Sequence, residues 1–540
     1  MEIRTGRPVT LAPRGMVTSP SPLASAAGAD VLRAGGSAVD AAIATAAVLS
    51  VVYPHMTGVG GDAFWLTWDA KARKARYLDG GGRAAASASL EQFTSKGLKE
   101  LPYRGVTPAT LTTPGAVASW DAAHRAHGRL PLSRILDAAI GYARDGFPVT
   151  ARLASWIEAT KADLALSSEA AKIFMPGGAV PRAGAMLKNL NLARTLEAIA
   201  SDGRSGFYEG AVGSELDRFS QKSGGHFRAS DLARQDARWG MPLETRYGDV
   251  TILNTPPPTQ GFAVLEMLNL LEPLELHKKP MMGADWTHLL VQAKQIAYHD
   301  RDRWLADPKF SPVPTEMLVS KAYANERRRL IRPRKALAWD EVPSYGSLKG
   351  DTTYLATVDG DGNAVSLIQS LYWGFGSAVV AGKTGVVLQN RSAYFSLDPA
   401  SPNRLEPGKT PLHTLIASLG LKGGKLWSVV GCMGADGQPQ IQLQTYLAMI
   451  EHGLDIQEAL EAPRFLSGRF VLGEPRDTLH IEGRMPAATI AELERRGHSV
   501  NRWPDWCELA GHAHGITIDP ETGMRAGGAD PRSDGAAIGI

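Results

Sequence analysis

The period of the apolar positions changes along the chain. Residues 22–34 and 37–52 repeat apolar side chains at helical spacing, with Gly35-Gly36 between them. Ser21 supplies an N-cap, and Pro22 sits at the first helical position, where its missing N–H costs nothing. Residues 63–68 and 75–79 read as strands, and 132–145, 190–201, 265–271 and 286–305 return to the helical period, the last ending before Pro308. The style shifts after Lys349. Strands at 354–358 and 364–371 flank Asp359-Gly360-Asp361-Gly362-Asn363, a hairpin turn signal. Further strands are expected at 385–388, 415–421 and 426–430, with Lys422-Gly423-Gly424-Lys425 as a turn. Helices at 440–452 and 487–496 follow, then a hairpin over 515–526 around Asp519-Pro520-Glu521-Thr522-Gly523. Hairpins flanked by helices predict an α+β protein with antiparallel sheets under helical layers. No internal repeat or long linker divides the chain.

Composition narrows the function. Of 540 residues 44% are apolar and 21% charged, ordinary for a globular chain and too apolar for a disordered one. The 58 basic and 55 acidic residues nearly cancel, which argues against nucleic acid as a partner. The longest apolar stretch, 41–53, is too short to span a bilayer and reads as a buried helix, so no membrane partner is expected. The two cysteines, Cys432 and Cys507, make no disulfide framework or metal pair, and the amino terminus has no apolar core of a secretory signal. A cytoplasmic protein is expected.

Several apparent motifs fail their context. Gly58-Val59-Gly60-Gly61 precedes a strand instead of opening a helix, which excludes a dinucleotide cradle. Asp359-x-Asp361-x-Asn363 begins like a calcium loop but has Ala364 and Ser370 where glycine and the bidentate Glu belong, so it reads as a polar hairpin. His512-x-His514 and His299-Asp300 lack a third ligand, so no metal is expected and no cofactor is implied. No Gly-x-Ser-x-Gly elbow occurs. The informative segment is Gly350-Asp351-Thr352-Thr353-Tyr354. A threonine hydroxyl becomes a nucleophile beside a base, and an amino-terminal threonine carries its own, an α-amine titrating near 8. Spacing alone does not say that the chain is cut there.

The sequence resembles the γ-glutamyltranspeptidase family of N-terminal-nucleophile hydrolases over nearly its whole length. The resemblance runs through Met16-Val17-Thr18-Ser19-Pro20, Gly35-Gly36-Ser37-Ala38-Val39-Asp40, Gly58 to Gly61, Pro114-Gly115-Ala116-Val117, Gly206-Phe207-Tyr208-Glu209-Gly210 and Pro256-Pro257-Pro258. Its strongest part is Asp351-Thr352-Thr353 with Val358-Asp359-x-Asp361-Gly362-Asn363-Ala364-Val365. The resemblance implies a four-layer αββα sandwich. It implies a precursor that cuts itself between Asp351 and Thr352 into a large subunit, 1–351, and a small one, 352–540, which stay together as one intertwined catalytic domain. Thr352 would be the nucleophile, and the backbone N–H groups of Gly434 and Ala435 the oxyanion hole, with Ala where the family has glycine.

Departures from the family pattern bear on substrate. Tyr394 stands where an acidic residue grips a substrate α-amine, and Arg391 replaces a glutamine. His413-Thr414 replaces the serine pair for the α-carboxylate. Leu78-Asp79-Gly80-Gly81-Gly82 delays the substrate arginine to Arg83, and Ser370 and Tyr372 replace polar groups supporting the nucleophile. Asp436 and Asp505 are the acids available to replace the lost one, and the segment between Asn390 and Pro411 is short, which predicts an open site. Losing an acid and gaining an arginine repels an ammonium and attracts a carboxylate. The expected substrate is a small carboxylate-bearing amide, oxamate-like or glutaryl-type, with water or an amine as acceptor. γ-Glutamyl transfer or glutathione hydrolysis is the alternative, and a homo-oligomer is open.

Overall fold

Two seven-stranded antiparallel sheets form the centre of the computed structural model, which describes residues 6–341, 351–468 and 475–540, with Asp351 described by its backbone alone. In spatial order the first sheet runs Ala536–Gly539, Met16–Ser19, Asp351–Val358, Ala364–Tyr372, Asp62–Asp69, Lys74–Gly80 and Arg238–Gly240. The second runs Thr10–Ala12, Arg525–Ala529, Ala513–Ile518, Lys425–Cys432, Ala417–Lys422, Val250–Asn254 and Leu243–Tyr247. Each sheet therefore takes strands from both sides of the Asp351–Thr352 bond.

Alternation along the strands decides the layers. Phe64, Leu66, Trp68, Tyr354, Ala356 and Ile368 of the first sheet meet Leu253, Ala417, Leu419, Val429 and Ile516 of the second. Their neighbours Trp65, Leu78, Leu355, Val365 and Leu367 face the helices Pro22–Arg33, Ala38–Val52, Ala116–His127 and Leu132–Asp145. On the far side Ile252, Val430 and Cys432 pack under Gly261–Leu271, Ala284–Trp304 and Gln438–His452. That stack is the expected αββα sandwich. Strands covered on both faces lose their exposed positions: all nine residues of Ala364–Tyr372 are buried, the polar Ser366, Gln369 and Ser370 among them. The helix Ala38–Val52 is buried all round, capped by a reciprocal Ser37–Asp40 box. It lies so close to Pro22–Arg33 that a Cβ on Gly28 would fall 2.3 Å from Thr45 Oγ1. Ser21 caps the earlier helix by position, without a side-chain hydrogen bond.

Most of the expected elements form within a few residues of their expected ends. The exception is 385–388, which is not a strand: Gly385 is left-handed at φ +71°, and Val387 and Leu388 make only single bridges to Val380 and Gly60. A three-stranded sheet, Phe465–Ser467, Thr478–Glu482 and Ser499–Trp503, goes beyond the sequence reading. Among the described residues no helix is long and apolar enough to cross a membrane.

Candidate functional site

The site begins at an irregularity in the first sheet. Asp351 pairs with Tyr372 and Thr353 with Gln369, so Ser370 and Leu371 together oppose Thr352 in a β-bulge. The bulge turns Ser370 towards the threonine, whose Oγ donates to Ser370 Oγ at 3.3 Å. Ser370 Oγ also accepts from the Tyr372 N–H at 2.7 Å and from Arg391 Nη2 at 2.9 Å. Tyr372 holds φ +85°, a conformation unfavourable for a bulky residue and sustained here by its surroundings.

Arg391 opens a short 3₁₀ turn, Arg391–Tyr394, and its side chain is fully buried. The guanidinium lies 4.7 Å from the Tyr372 ring centroid and 5.3 Å from that of Tyr394, the two rings being 4.2 Å apart. Its Nε and Nη1 have no hydrogen-bond partner. Burial pulls the guanidinium below its usual range. Behind it Asp62 Oδ1 accepts from the Gly82 and Gly115 N–H groups and from Gln389 Nε2. Burial lifts Asp62 to about 7 against the pull of Arg391. His413 Nε2 is 3.6 Å from Asp62 Oδ2, but burial and then Arg391 hold its imidazole well below the ordinary value, so the pair is not a fixed ion pair near neutral pH. Glycines make room for this nest: a Cβ on Gly82 would fall 1.8 Å from the Thr113 carbonyl.

The third part follows strand Lys425–Cys432. Gly434 and Ala435 both have positive φ, +132° and +47°, and the turn closes through Gly437 N to Gly434 O at 2.6 Å. An alanine tolerates that left-handed conformation at a cost of about 1–2 kcal/mol, and it keeps its N–H. Tyr394 OH donates to Thr414 Oγ1 at 3.3 Å. Gln260 Nε2 donates to both the Thr414 and the Ala435 carbonyls, at 2.9 and 3.1 Å. One chain of contacts thus joins Thr352, Ser370, Tyr372, Arg391, Tyr394, Thr414 and Ala435, with Gly434 in the same turn as Ala435. His413 turns its ring away, against Phe64 and Asp62.

Arg83 does not join them. Its guanidinium pairs with Asp236 and reaches the Arg234 carbonyl, because the three glycines after Asp79 carry it beyond the strand end. Asp436 lies beside the Gly434–Ala435 turn, its carboxylate already engaged by Arg301 at 3.1 Å, and burial raises it to about 6. Asp505 is remote, its carbonyl accepting from Arg484 next to the small sheet. The expected openness is not met in this uncut chain: Thr352 is 1% exposed and Arg391 0%. Tyr103 packs beside Tyr372 and Trp373 and lines a groove of about 320 Å³ that also runs along Tyr394, Leu412 and Asp302. Asp62, Gln260 and Arg301 escaped the sequence reading; Asp62 had a signal in the glycines preceding it.

The remaining motifs have structural occupations. Gly60 and Gly61 let backbone pass Val387 and Ser370, where a Cβ would fall 2.1 Å from each carbonyl. Asp359 accepts from the N–H groups of Asp361 and Asn363 and ties the hairpin. His299 sits by Asp300 and Arg327, His512 by Tyr53 and Glu508. No group of three metal-ligating side chains occurs among the described residues.

A four-layer αββα sandwich, with a threonine on a central strand of one sheet and a positive-φ turn ending a strand of the other, is the architecture of the N-terminal-nucleophile hydrolases. The family model described as Gamma-glutamyltranspeptidase matches residues 24–540. The chain is 40% identical to the glutathione hydrolase-like YwrD proenzyme of Bacillus subtilis, over 97% of this chain and 98% of that one. It is 38% identical to the oxamate amidohydrolase proenzyme of Klebsiella pneumoniae, again over 97% and 98%. The crystal structure of cephalosporin acylase from Bacillus halodurans superposes with a TM-score of 0.92 at 37% identity, covering 100% of this chain and 98% of that one. The chain belongs to the γ-glutamyltranspeptidase family and is an enzyme of that family.

Proposed function

We propose that the protein matures by cleavage between Asp351 and Thr352 and then hydrolyses a small amide that carries a carboxylate, oxamate-like or glutaryl-type. The observation carrying this reading is Arg391: a fully buried guanidinium with two unpartnered nitrogens, reached from Thr352 through the single hydroxyl of Ser370. Unpaired buried donors on a cation are costly, and a substrate carboxylate would satisfy one of them with a charge-assisted hydrogen bond. Thr352's new α-amine takes the proton from Oγ as Oγ attacks the amide carbon. The oxyanion is held by the N–H groups of Gly434 and Ala435. The tetrahedral species collapses, the C–N bond breaks and the leaving amine takes the proton from the α-ammonium. Water, deprotonated by the same amine, then hydrolyses the acyl ester and frees Thr352.

The large and small subunits remain together because both sheets interleave strands from the two sides of the cut. The cytoplasm suits two buried free thiols, Cys432 and Cys507. γ-Glutamyl transfer is the second reading, favoured by Asp436 as a carboxylate near the Gly434–Ala435 turn, but Arg301 already holds that group. Denaturing electrophoresis, followed by parallel assays on oxamate, glutaryl amides and a γ-glutamyl anilide, tests the proposal. Two fragments and a preference for substrates lacking an α-amine are expected. An intact, fully active chain overturns the maturation step, and a preference for the γ-glutamyl anilide overturns the substrate reading.

A further inference from the structure

The turn at Gly434–Ala435 is braced from outside, and the brace has a definite chemical logic. The Gly434 carbonyl is used within the turn, by the Gly437 N–H, while the Ala435 and Asp436 carbonyls are taken by side chains from the start of helix Gly261–Leu271 and from helix Ala284–Trp304. There Gln260 Nε2 donates to the Ala435 carbonyl at 3.1 Å and the Tyr298 hydroxyl donates to the Asp436 carbonyl. The Gln260 amide is itself oriented. Its Oε1 accepts from Arg301 Nη1 at 2.9 Å, and the same nitrogen donates to Asp436 Oδ1 at 3.1 Å. Asp302 grips the other edge of the guanidinium, accepting from Nε at 2.9 Å and Nη2 at 2.7 Å. Gln260 also ties the opposite wall: its backbone N–H bonds the His413 carbonyl at 3.0 Å and its Nε2 the Thr414 carbonyl at 2.9 Å. Gln260 is fully buried, and Tyr298 and Arg301 are each 2% exposed.

From this arrangement we infer that Gln260, oriented by Arg301, is a positioning residue that sets the Ala435 N–H against the substrate wall at 413–414. The inference rests on the reading of that N–H as an oxyanion donor. Gln260 acts through the Ala435 and Thr414 carbonyls and not on the reacting atoms themselves. One amide spans the two pieces whose separation fixes where the oxyanion must lie. Only an amide with its oxygen towards Arg301 offers N–H donors to both carbonyls, so the guanidinium selects the working orientation. A displacement of the hole by about 1 Å costs roughly a hundredfold in rate. It acts on the transition state, because the ground-state carbonyl is held less tightly there.

The test uses full-length Gln260→Met and, as a milder variant, Arg301→Lys, which keeps the charge beside Asp302 and Asp436 but loses the fork. Each is purified after processing, confirmed folded by its melting midpoint, and assayed on the best carboxylate amide together with inhibition by a carboxyalkyl boronic acid. The expected result is kcat lower by roughly ten- to a hundredfold, KM within about threefold, and boronate affinity falling in parallel with kcat. A kcat within about twofold of wild type in either processed variant overturns the inference. So does a rise in KM that accounts for the whole loss of kcat/KM. A crystal structure of the wild-type boronate adduct tests the underlying reading separately. An adduct oxygen well beyond about 3 Å from the Gly434 and Ala435 nitrogens removes the hole itself. An oxygen seated there, with unchanged variants, removes only the role of Gln260.

Discussion

Replacing Arg391 with methionine separates the needs of the substrate from those of the fold. The side chain is fully buried, with one hydrogen bond to Ser370 and two flanking tyrosine rings. Losing a charged hydrogen bond costs about 1.5–3 kcal/mol and losing the ring contacts about 1–2 kcal/mol. Against that, methionine removes two unsatisfied donors, Nε and Nη1, each costing about 1–3 kcal/mol, and the desolvation of a buried cation. The terms offset, so the melting midpoint should hold or rise. The substrate carboxylate meanwhile loses a charge-assisted bond, about 1.5–3 kcal/mol, or roughly ten- to a hundredfold in kcat/KM. The assay compares kcat/KM for oxamate with that for an uncharged amide of the same length, beside thermal melting of both proteins. If both amides lose activity equally, or the carboxylate amide loses none, Arg391 does not recognise the substrate carboxylate.

Four further outcomes are expected. Thr352→Ala should remain a single chain on denaturing electrophoresis and be inactive; normal turnover in that variant would refute the nucleophile. Tyr394→Asp should raise γ-glutamyl turnover by roughly tenfold or more, since a charged hydrogen bond contributes about 1.5–3 kcal/mol; no gain would place the missing amine partner elsewhere. Ala435→Gly keeps the N–H and relieves the φ of +47°, so turnover should stay within about twofold while stability rises by about 1 kcal/mol; proline cannot adopt that φ and is no test of the donor. Asp62, lifted by burial to about 7, holds its proton more tightly folded than unfolded, where it titrates near 4. Its contribution to stability is therefore full below about 4 and lost as pH rises through about 7. Asp62→Asn should flatten the melting profile across that range, and parallel profiles would show that Asp62 does not titrate there.

Residues 22–34, 37–52, 63–68 and 364–371 were legible in the sequence because local periodicity states how each element must be buried, and the Gly and Asn of the 359–363 turn state how the chain reverses. The threonine, the tyrosine at 394 and the arginine at 391 were legible as well, through the order of their motifs. The small sheet formed by Phe465–Ser467, Thr478–Glu482 and Ser499–Trp503 was not, since its strands are short and one pairing is a parallel one made across the helix Ala487–Arg495. Arg83 shows the same limit within the site: the family resemblance suggested a substrate arginine there, but Asp236, distant in sequence, takes its charge. Tertiary structure alone decided which donors stay unsatisfied. Whether Arg391 is paired, whether Asp62 is charged, and which way Gln260 faces depend on what surrounds each group in a water-excluding interior, and those neighbours come from six or more separate segments. A sequence carries the identity of a buried polar group; only the packed fold sets its partners, and with them its chemistry.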